Sequence, residues 1–293
     1  MSRILITGAR GFIGSHLGNR LVELGHKVLG VDNNHHASDN KINFDCWNMT
    51  FQKLIGEYEE QFDAIFHLAG FINVDESIED PYAYMENNTM GTLEVLEHVK
   101  KYPKTKLIFA SSAEVYGSAQ TEEMSEDHPL DPVSPYAVSK LAAEQLCKNF
   151  AQLYGLDITV IRNFNTFGEH QSGGRYGGVI AKFKNLAKSG QPLEVYGSGE
   201  QMRDYMHISQ AVDGYVLALN SKFPTIVNFG SGKPIRIIDI ANMVANKFGV
   251  KIIHTTPRPN EIMRLQADIS RAKRYGYEVS TDFWFQLDKY LET

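Results

Sequence analysis

The stretch Ile4-Leu5-Ile6-Thr7-Gly8-Ala9-Arg10-Gly11-Phe12-Ile13-Gly14, taken together with Asp32, decides the fold of this 293-residue chain. Its apolar, β-branched opening reads as a strand, and the glycines that follow read as a tight turn. A helical pattern over Ile13–Leu24 comes next, then a second strand, Lys27–Val31, that ends at Asp32. Glycines let a backbone approach a pyrophosphate closely, and the N–H groups and dipole of a helix N-terminus stabilise its charge. The spacing is GxxGxxG rather than GxGxxG, so the pattern carries weight through its context, between a strand and a helix. An acid at the next strand end accepts hydrogen bonds from adenosine ribose hydroxyls and repels a 2′-phosphate. No arginine follows Asp32 nearby, so NAD is expected rather than NADP.

Outward from this unit the same alternation continues. Ala64–Leu68, Lys106–Ala110 and Thr159–Arg162 read as further strands, separated by helices at Phe51–Tyr58, Tyr82–Lys101 and Tyr136–Tyr154. Strands alternating with helices predict a doubly wound parallel α/β sheet of the Rossmann type. After Asn165 the rhythm changes. A glycine-rich loop (Gly173–Gly178) precedes a helix at Val179–Lys188 and a strand at Leu193–Tyr196. Ser209–Leu219 and Ile226–Phe229 then read as a helix and strand returning to the main sheet. A last helix, Ile237–Phe248, precedes a polar turn, Thr256–Glu261. The expected organisation is a dinucleotide-binding domain of residues 1–166 and 205–230, with a smaller, discontinuous α/β substrate-binding lobe of residues 167–204 and 231–293.

Composition narrows the function. A formal net charge of −6 leaves no basic excess to neutralise phosphates, so neither nucleic acid nor an acidic membrane surface is an expected partner. No run of about 18 apolar residues occurs, and the N-terminus enters a strand without a signal-peptide pattern. A cytoplasmic enzyme is expected. Cys46 and Cys147 are the two cysteines. Cys147 falls in the apolar stripe of a helix and reads as a buried thiol. No Cys/His cluster has ligand spacing, and the adjacent His35 and His36 are badly placed to share an ion, so no metal is expected. The sequons at Asn48 and Asn87 mean nothing without secretion.

Tyr136-Ala-Val-Ser-Lys140 opens a predicted helix, which puts the phenol and the ammonium on one face. A free tyrosine titrates near 10, and lowering it by about three units needs roughly 4 kcal/mol of preferential phenolate stabilisation. Lys140 and a positive nicotinamide ring together supply it. Tyr136 then becomes the base that takes a proton from a sugar hydroxyl as hydride leaves the carbon. Ser112 stands at the carboxyl end of the fourth strand, where a doubly wound sheet presents ligands, and can hydrogen-bond the same oxygen.

These motifs resemble the extended short-chain dehydrogenase/reductases of the NAD-dependent nucleotide-sugar epimerase and dehydratase family (UDP-glucose 4-epimerase-like), and the resemblance covers nearly the whole chain. Thr7–Gly14, His67–Gly70, Asn88–Thr92, Ser111–Gly117, Ser134–Lys140, Arg162–Gly168, Val195–His207 and Pro257–Glu261 carry it. It implies cofactor contacts from Gly8, Gly11, Phe12, Ile13, Gly14, Asp32, Asn33, Leu68, Ala69, Gly70, Asn88, Ser111, Tyr136 and Lys140. From the residues themselves, Asp45, beside Cys46, offers an adenine contact, with a simple turn aspartate as the alternative. The resemblance implies substrate contacts from Ser112, Glu114, Tyr136 and Asn165, from Arg203 and Arg258 at the pyrophosphate, and from Val195 and Tyr196 at the nucleotide base. A diphosphate calls for arginine forks, so the two arginines agree with that chemistry. His67 marks a cofactor-facing strand end and is not expected to be catalytic. A homodimer built on the helices Tyr82–Lys101 and Tyr136–Tyr154 is also implied, although covering the sheet within one chain explains the same apolar pattern.

Family members share oxidation of C4 and diverge afterwards. Dehydratases usually place an acid and a glutamate after the catalytic hydroxyl; here Glu114 is present, but Ala113 holds the acid position. Alanine cannot protonate a departing hydroxyl. Ile72 stands where typical galactose epimerases carry a lysine, which leaves their particular substrate open. The leading expectation is a nucleotide-sugar 4-epimerase acting, for example, on a UDP-hexose, with Tyr136, Lys140, Ser112 and Glu114 at the catalytic centre. A 4,6-dehydratase or C5-epimerase using Glu114 as base is the alternative. A UDP-glucuronate decarboxylase, a 4-ketoreductase and a non-catalytic NAD sensor rank below it.

Overall fold

The computed structural model describes residues 1–33, 41–57, 61–174, 177–257, 261–280 and 282–293. Its strands are β1 (Arg3–Thr7), β2 (Lys27–Asp32), β3 (Asp45–Asn48), β4 (Ala64–His67), β5 (Lys106–Ser112), β6 (Ile158–Asn163), β7 (Asn165–Phe167), β8 (Leu193–Tyr196), β9 (Met202–His207), β10 (Ile226–Phe229), β11 (Pro234–Arg236), β12 (Ile252–Thr255) and β13 (Arg264–Leu265). The α-helices are α1 (Phe12–Glu23), α2 (Phe51–Glu57), α3 (Val74–Glu79), α4 (Pro81–Tyr84), α5 (Gly91–Lys101), α6 (Pro135–Tyr154), α7 (Val179–Lys188), α8 (Ile208–Asn220), α9 (Ile237–Phe248), α10 (Ser270–Lys273) and α11 (Phe283–Glu292).

Alternation along β1 already separates two cores. Ile4 and Ile6 point into a cluster with Leu17 of α1 and Tyr215 of α8, whereas Leu5 points into another with Val95 of α5 and Cys147 of α6. The central sheet therefore has helices on both faces, and its seven strands run parallel in the order β10-β6-β5-β4-β1-β2-β3. Strand order reverses at β1 and β4, which opens a crevice at their carboxyl ends.

Two departures from the sequence-based expectation border the crevice. The edge strand β3 was not predicted, because Asp45-Cys46-Trp47-Asn48 has no apolar alternation; it is ordered by pairing with β2, from Leu29 opposite Asp45 to Asp32 opposite Asn48. The expected continuous helix Tyr82–Lys101 is α4 and α5 joined by a π-turn at Met85–Met90, with Asp80 capping its start through Ala83 N–H (3.1 Å). One extra residue in a turn shifts the helical phase, which periodicity alone does not reveal.

Beyond β6, strands β7, β11 and β13 each pair with β9, and β8 pairs with β12. A third apolar core joins α7, β8, α9 and α11 through Phe183, Leu193, Ile240 and Leu287. Asp204 on β9 ties this region together: its buried carboxylate accepts from Ser231 N–H and Oγ–H, Gly232 N–H and Ala267 N–H at 2.6–3.0 Å.

Candidate active site

The glycine turn after β1 is held shut from within. Gly8 N–H donates to Val31 O and Gly11 N–H to Gly8 O, and a methyl on Gly14 would stand 2.2 Å from the Gly8 carbonyl oxygen. Gly11 caps α1 without a side-chain oxygen, and no acid lies in the first turn. The leading N–H groups of α1 thus have no side-chain cap and no acid in their own turn, which fits a pyrophosphate. Asp32 closes the other side, its Oδ2 accepting from Arg10 N–H at 3.0 Å. Gly8, Gly11, Asp32, Asn33 and Leu68–Gly70 line one continuous cleft of about 1180 Å³. These residues fit a dinucleotide carrying a free 2′-hydroxyl.

Not every expected contact falls on that cleft. Phe12 and Ile13 are half-buried against the central core. Asp45 is exposed on the edge strand opposite Leu29, three residues short of Asp32 along the pairing. Cys46 packs against Gly30, and burial raises its thiol pKa against the opposing effect of Arg10. Met49 and Thr50, just past β3, line the cleft instead, and no signal in the sequence marked them.

Three consecutive residues of β5 meet three positions of α6 spaced one turn apart. Ser134 caps α6 by accepting Ala137 N–H at 3.1 Å, and Pro135 starts the first turn, so Tyr136 enters the site from a defined helix end. Ser112 stands beside the Tyr136 phenol, near enough to lower its pKa. Lys140 Nζ donates to Ala110 O at 3.0 Å, and Ser111 Oγ donates to Glu144 at 2.5 Å. A methyl on Gly70 would stand 3.0 Å from Lys140 Nζ, so the ammonium touches the cleft wall. Glu114, half-buried in the turn after β5, donates its N–H to Ser112 Oγ at 3.2 Å. Burial pushes the Tyr136 phenol up to about 12; the Ser112 hydroxyl lowers it and the Glu114 charge raises it. Burial pulls Lys140 down to about 8, opposed by Cys147 and Glu144.

Beneath these groups lies a chain of polar contacts that the motifs did not disclose. Thr92 Oγ1 donates to Asn88 O at 2.6 Å, so toward His67 Nε2, 3.0 Å away, it accepts. That fixes the proton of His67 on Nε2. Its Nδ1 then accepts from Thr7 Oγ1 at 2.7 Å, while Thr7 Oγ1 accepts Ala69 N–H at 3.2 Å. Burial, and then the Lys140 charge, lower the His67 pKa to about 3. Asn88 is also buried: its Oδ1 accepts from Phe71 N–H and Asn87, and its Nδ2 donates to Phe71 O and Ser139 Oγ, all at 2.8–3.0 Å.

On the substrate side, Asn165 begins β7 and is half-buried. Strand alternation turns Val195 into the third core and leaves Tyr196 39% exposed, so of this pair only the tyrosine ring is presented to a ligand. Arg203 lies on β9 with its guanidinium on Glu261 (2.6 Å) and Ile262 O (2.6 Å). Arg258 lies outside the described residues, as do His35 and His36.

The profile of the NAD dependent epimerase/dehydratase family matches residues 4–230. A putative UDP-glucose 4-epimerase of Methanocaldococcus jannaschii is 32% identical over 287 residues, 95% of this chain and 94% of that protein. The structure of a UDP-glucose 4-epimerase from Thermotoga maritima with UDP-glucose superposes with a TM-score of 0.93 at 27% identity, covering 99% of this chain and 97% of that one. A dTDP-glucose 4,6-dehydratase from Streptomyces venezuelae, solved with NAD, gives 0.91 at 25% identity, covering 99% and 96%.

Proposed function

The chain belongs to the NAD-dependent epimerase/dehydratase family, with NAD as its cofactor, and from that premise we propose that it is a nucleotide-sugar 4-epimerase acting on a UDP-hexose. The observation that carries this reading is Ala113. It is 3% exposed and belongs to the central core, so a methyl packed inward occupies the position where dehydratases of the family present an acid.

NAD, when bound, supplies reversible removal and return of hydride at C4 of the sugar. The chain's own residues handle the proton. Tyr136 takes it from the C4 hydroxyl, and Ser112 hydrogen-bonds the oxygen as it sheds the proton. A phenol held at about 12 by burial is no base at neutral pH, so the site has to stabilise the phenolate with positive charge. Lys140, at about 8, keeps its ammonium there below that pH and supplies part of it. Asp32 takes the adenosine ribose and the N-terminus of α1 the pyrophosphate; Asn165, Tyr196, Arg203 and Arg258 hold the sugar nucleotide. Arg203 meets a diphosphate by exchanging or sharing its Glu261 contact. Residues 1–166 and 205–230 form the cofactor domain of this reading, and 167–204 with 231–293 the substrate lobe. The assembly is a homodimer: α5 and α6 pack on each other and, with the π-turn before α5, leave Met90, Val138, Leu153 and Tyr154 exposed, an apolar set suited to a second copy.

Glu114 supports a second reading, since its charge acts on Tyr136 and so stands beside the reacting atoms. A base at C5 would make the protein a 4,6-dehydratase or C5-epimerase. Proton NMR and mass spectrometry of a panel of nucleotide sugars incubated with the enzyme separate the cases. Inversion at C4 with unchanged mass is expected; loss of water or inversion at C5 would overturn the 4-epimerase. A panel left unaltered by both the parent protein and Tyr136→Phe would point to an NAD sensor.

A further inference from the structure

The buried polar groups behind the site include one acid that no step above uses. Glu144 is fully buried on α6, one turn beyond Lys140 and two beyond Tyr136. Its Oε1 accepts from Ser111 Oγ–H (2.5 Å) and Arg162 Nε (3.1 Å), and its Oε2 from Arg162 Nε (3.1 Å) and Nη2 (2.8 Å). Arg162, on β6, spends Nη1 on Glu126 O (3.1 Å) and lies 4.7 Å over the Tyr116 ring. The pair thus bolts α6 to β5 and β6 at one place. Arg162 is bound in a fork of fixed geometry, so Glu144 has little freedom to move.

This bolt shares its strand end with the reacting groups. Ala110, Ser111 and Ser112 are consecutive on β5 and engage Lys140, Glu144 and Tyr136 respectively. A slide of α6 along β5 would move all three contacts together. A carboxylate is an expensive way to join two elements in a core unless its fixed geometry is used. Among the described residues, the charged or titratable groups coupled to Glu144 and Lys140 include Arg162 from β6, Cys147 from α6 and His67 from β4.

We propose that Glu144 is a positioning residue for the reaction: through Ser111 and Arg162 it sets the register of α6 on β5 at which Tyr136 meets Ser112 and Lys140 reaches the cleft. The proposal rests on Tyr136 and Lys140 being the working pair. Ser111 is the point at which to test it, because Ser111→Ala removes one bond of the bolt and leaves the buried ion pair that the fold needs.

Three measurements on the NAD-loaded protein test it. In Ser111→Ala, kcat falls about 10- to 100-fold, as misplacement of reacting groups predicts, with KM for the nucleotide sugar nearly unchanged. The acid limb of the kcat profile moves to higher pH, because a Tyr136 phenol parted from Ser112 loses the contact that lowers its pKa. Ultraviolet difference titration, with Tyr136→Phe as the blank, shows the Tyr136 midpoint rising in the same variant without any turnover being measured. Ser111→Thr, which keeps the hydroxyl, restores all three. A Ser111→Ala protein that melts at lower temperature yet keeps the parent's kcat, pH limb and tyrosine midpoint would overturn the positioning role. A parent enzyme in which Tyr136→Phe leaves turnover intact would instead overturn the assignment of Tyr136.

Discussion

Acidification should destabilise this fold through one histidine. His67 is 3% exposed and holds a single proton between two threonines, and its pKa is about 3 against 6.5 for a free imidazole. Between those values the unfolded chain binds a proton that the folded chain refuses, so stability is fully present above about pH 6.5 and is lost progressively as pH falls toward 3. At pH 5 the loss is about 1.5 units, or roughly 2 kcal/mol. For a chain of this size that corresponds to a Tm lowered by roughly 3 °C relative to pH 7.5. Differential scanning calorimetry of the parent and of His67→Gln isolates the effect. Glutamine can still accept from Thr7 and donate to Thr92 but does not titrate. Burial also lowers the pKa of His16, His26, His98 and His207, but those groups act equally in both proteins and cancel from the comparison. Identical Tm-versus-pH slopes for the two proteins would refute the assignment of a neutral, proton-refusing His67.

Gly14→Ala should weaken NAD binding more than about tenfold by calorimetry with an unchanged far-ultraviolet spectrum, because its methyl would lie 2.2 Å from the Gly8 carbonyl and force the turn open. Parent-like affinity would show that the turn has room. Arg162→Met strands the Glu144 carboxylate in the core and should cost about 3–5 kcal/mol in urea denaturation, with Glu144→Met added in the same chain recovering much of it. A single substitution costing under about 1 kcal/mol would mean that the pair is hydrated. Leu153→Glu combined with Met90→Lys should convert a dimer to a folded monomer in sedimentation velocity; a parent protein that already sediments as a monomer would remove the proposed interface.

How much of this was legible beforehand depends on the range over which each feature is encoded. The strands β1, β2, β4, β5 and β6 are short apolar runs that announce themselves locally, and the helix expected from Tyr136 begins one residue earlier, at Pro135. Tyr136 and Lys140 follow from helix geometry alone. β3 was missed because its order comes from pairing with β2, and the π-turn at Met85–Met90 because it changes phase without changing composition. Val195 shows the converse. The motif naming it was readable, but only the alternation within β8 shows that its side chain turns inward while that of Tyr196 does not.

The polar framework under the site is harder still to read, since it is a matter of hydrogen-bond accounting across distant segments. Asn88 makes the point. Its motif was visible and placed it among the cofactor contacts, yet both of its donors and both lone-pair sites of its acceptor are taken up by Phe71, Asn87 and Ser139. Ser139 Oγ gives its own proton to Tyr136 O, so toward Asn88 it can only accept. An asparagine, with a donor and an acceptor on one plane, meets both faces of Phe71 and still serves Ser139; aspartate lacks the donors, and leucine of similar volume lacks both functions. The residue therefore joins the cleft wall at Phe71 to the helix carrying Tyr136 and Lys140. A cofactor seated against Gly70 would feel Asn88 chiefly through where that wall and that helix stand.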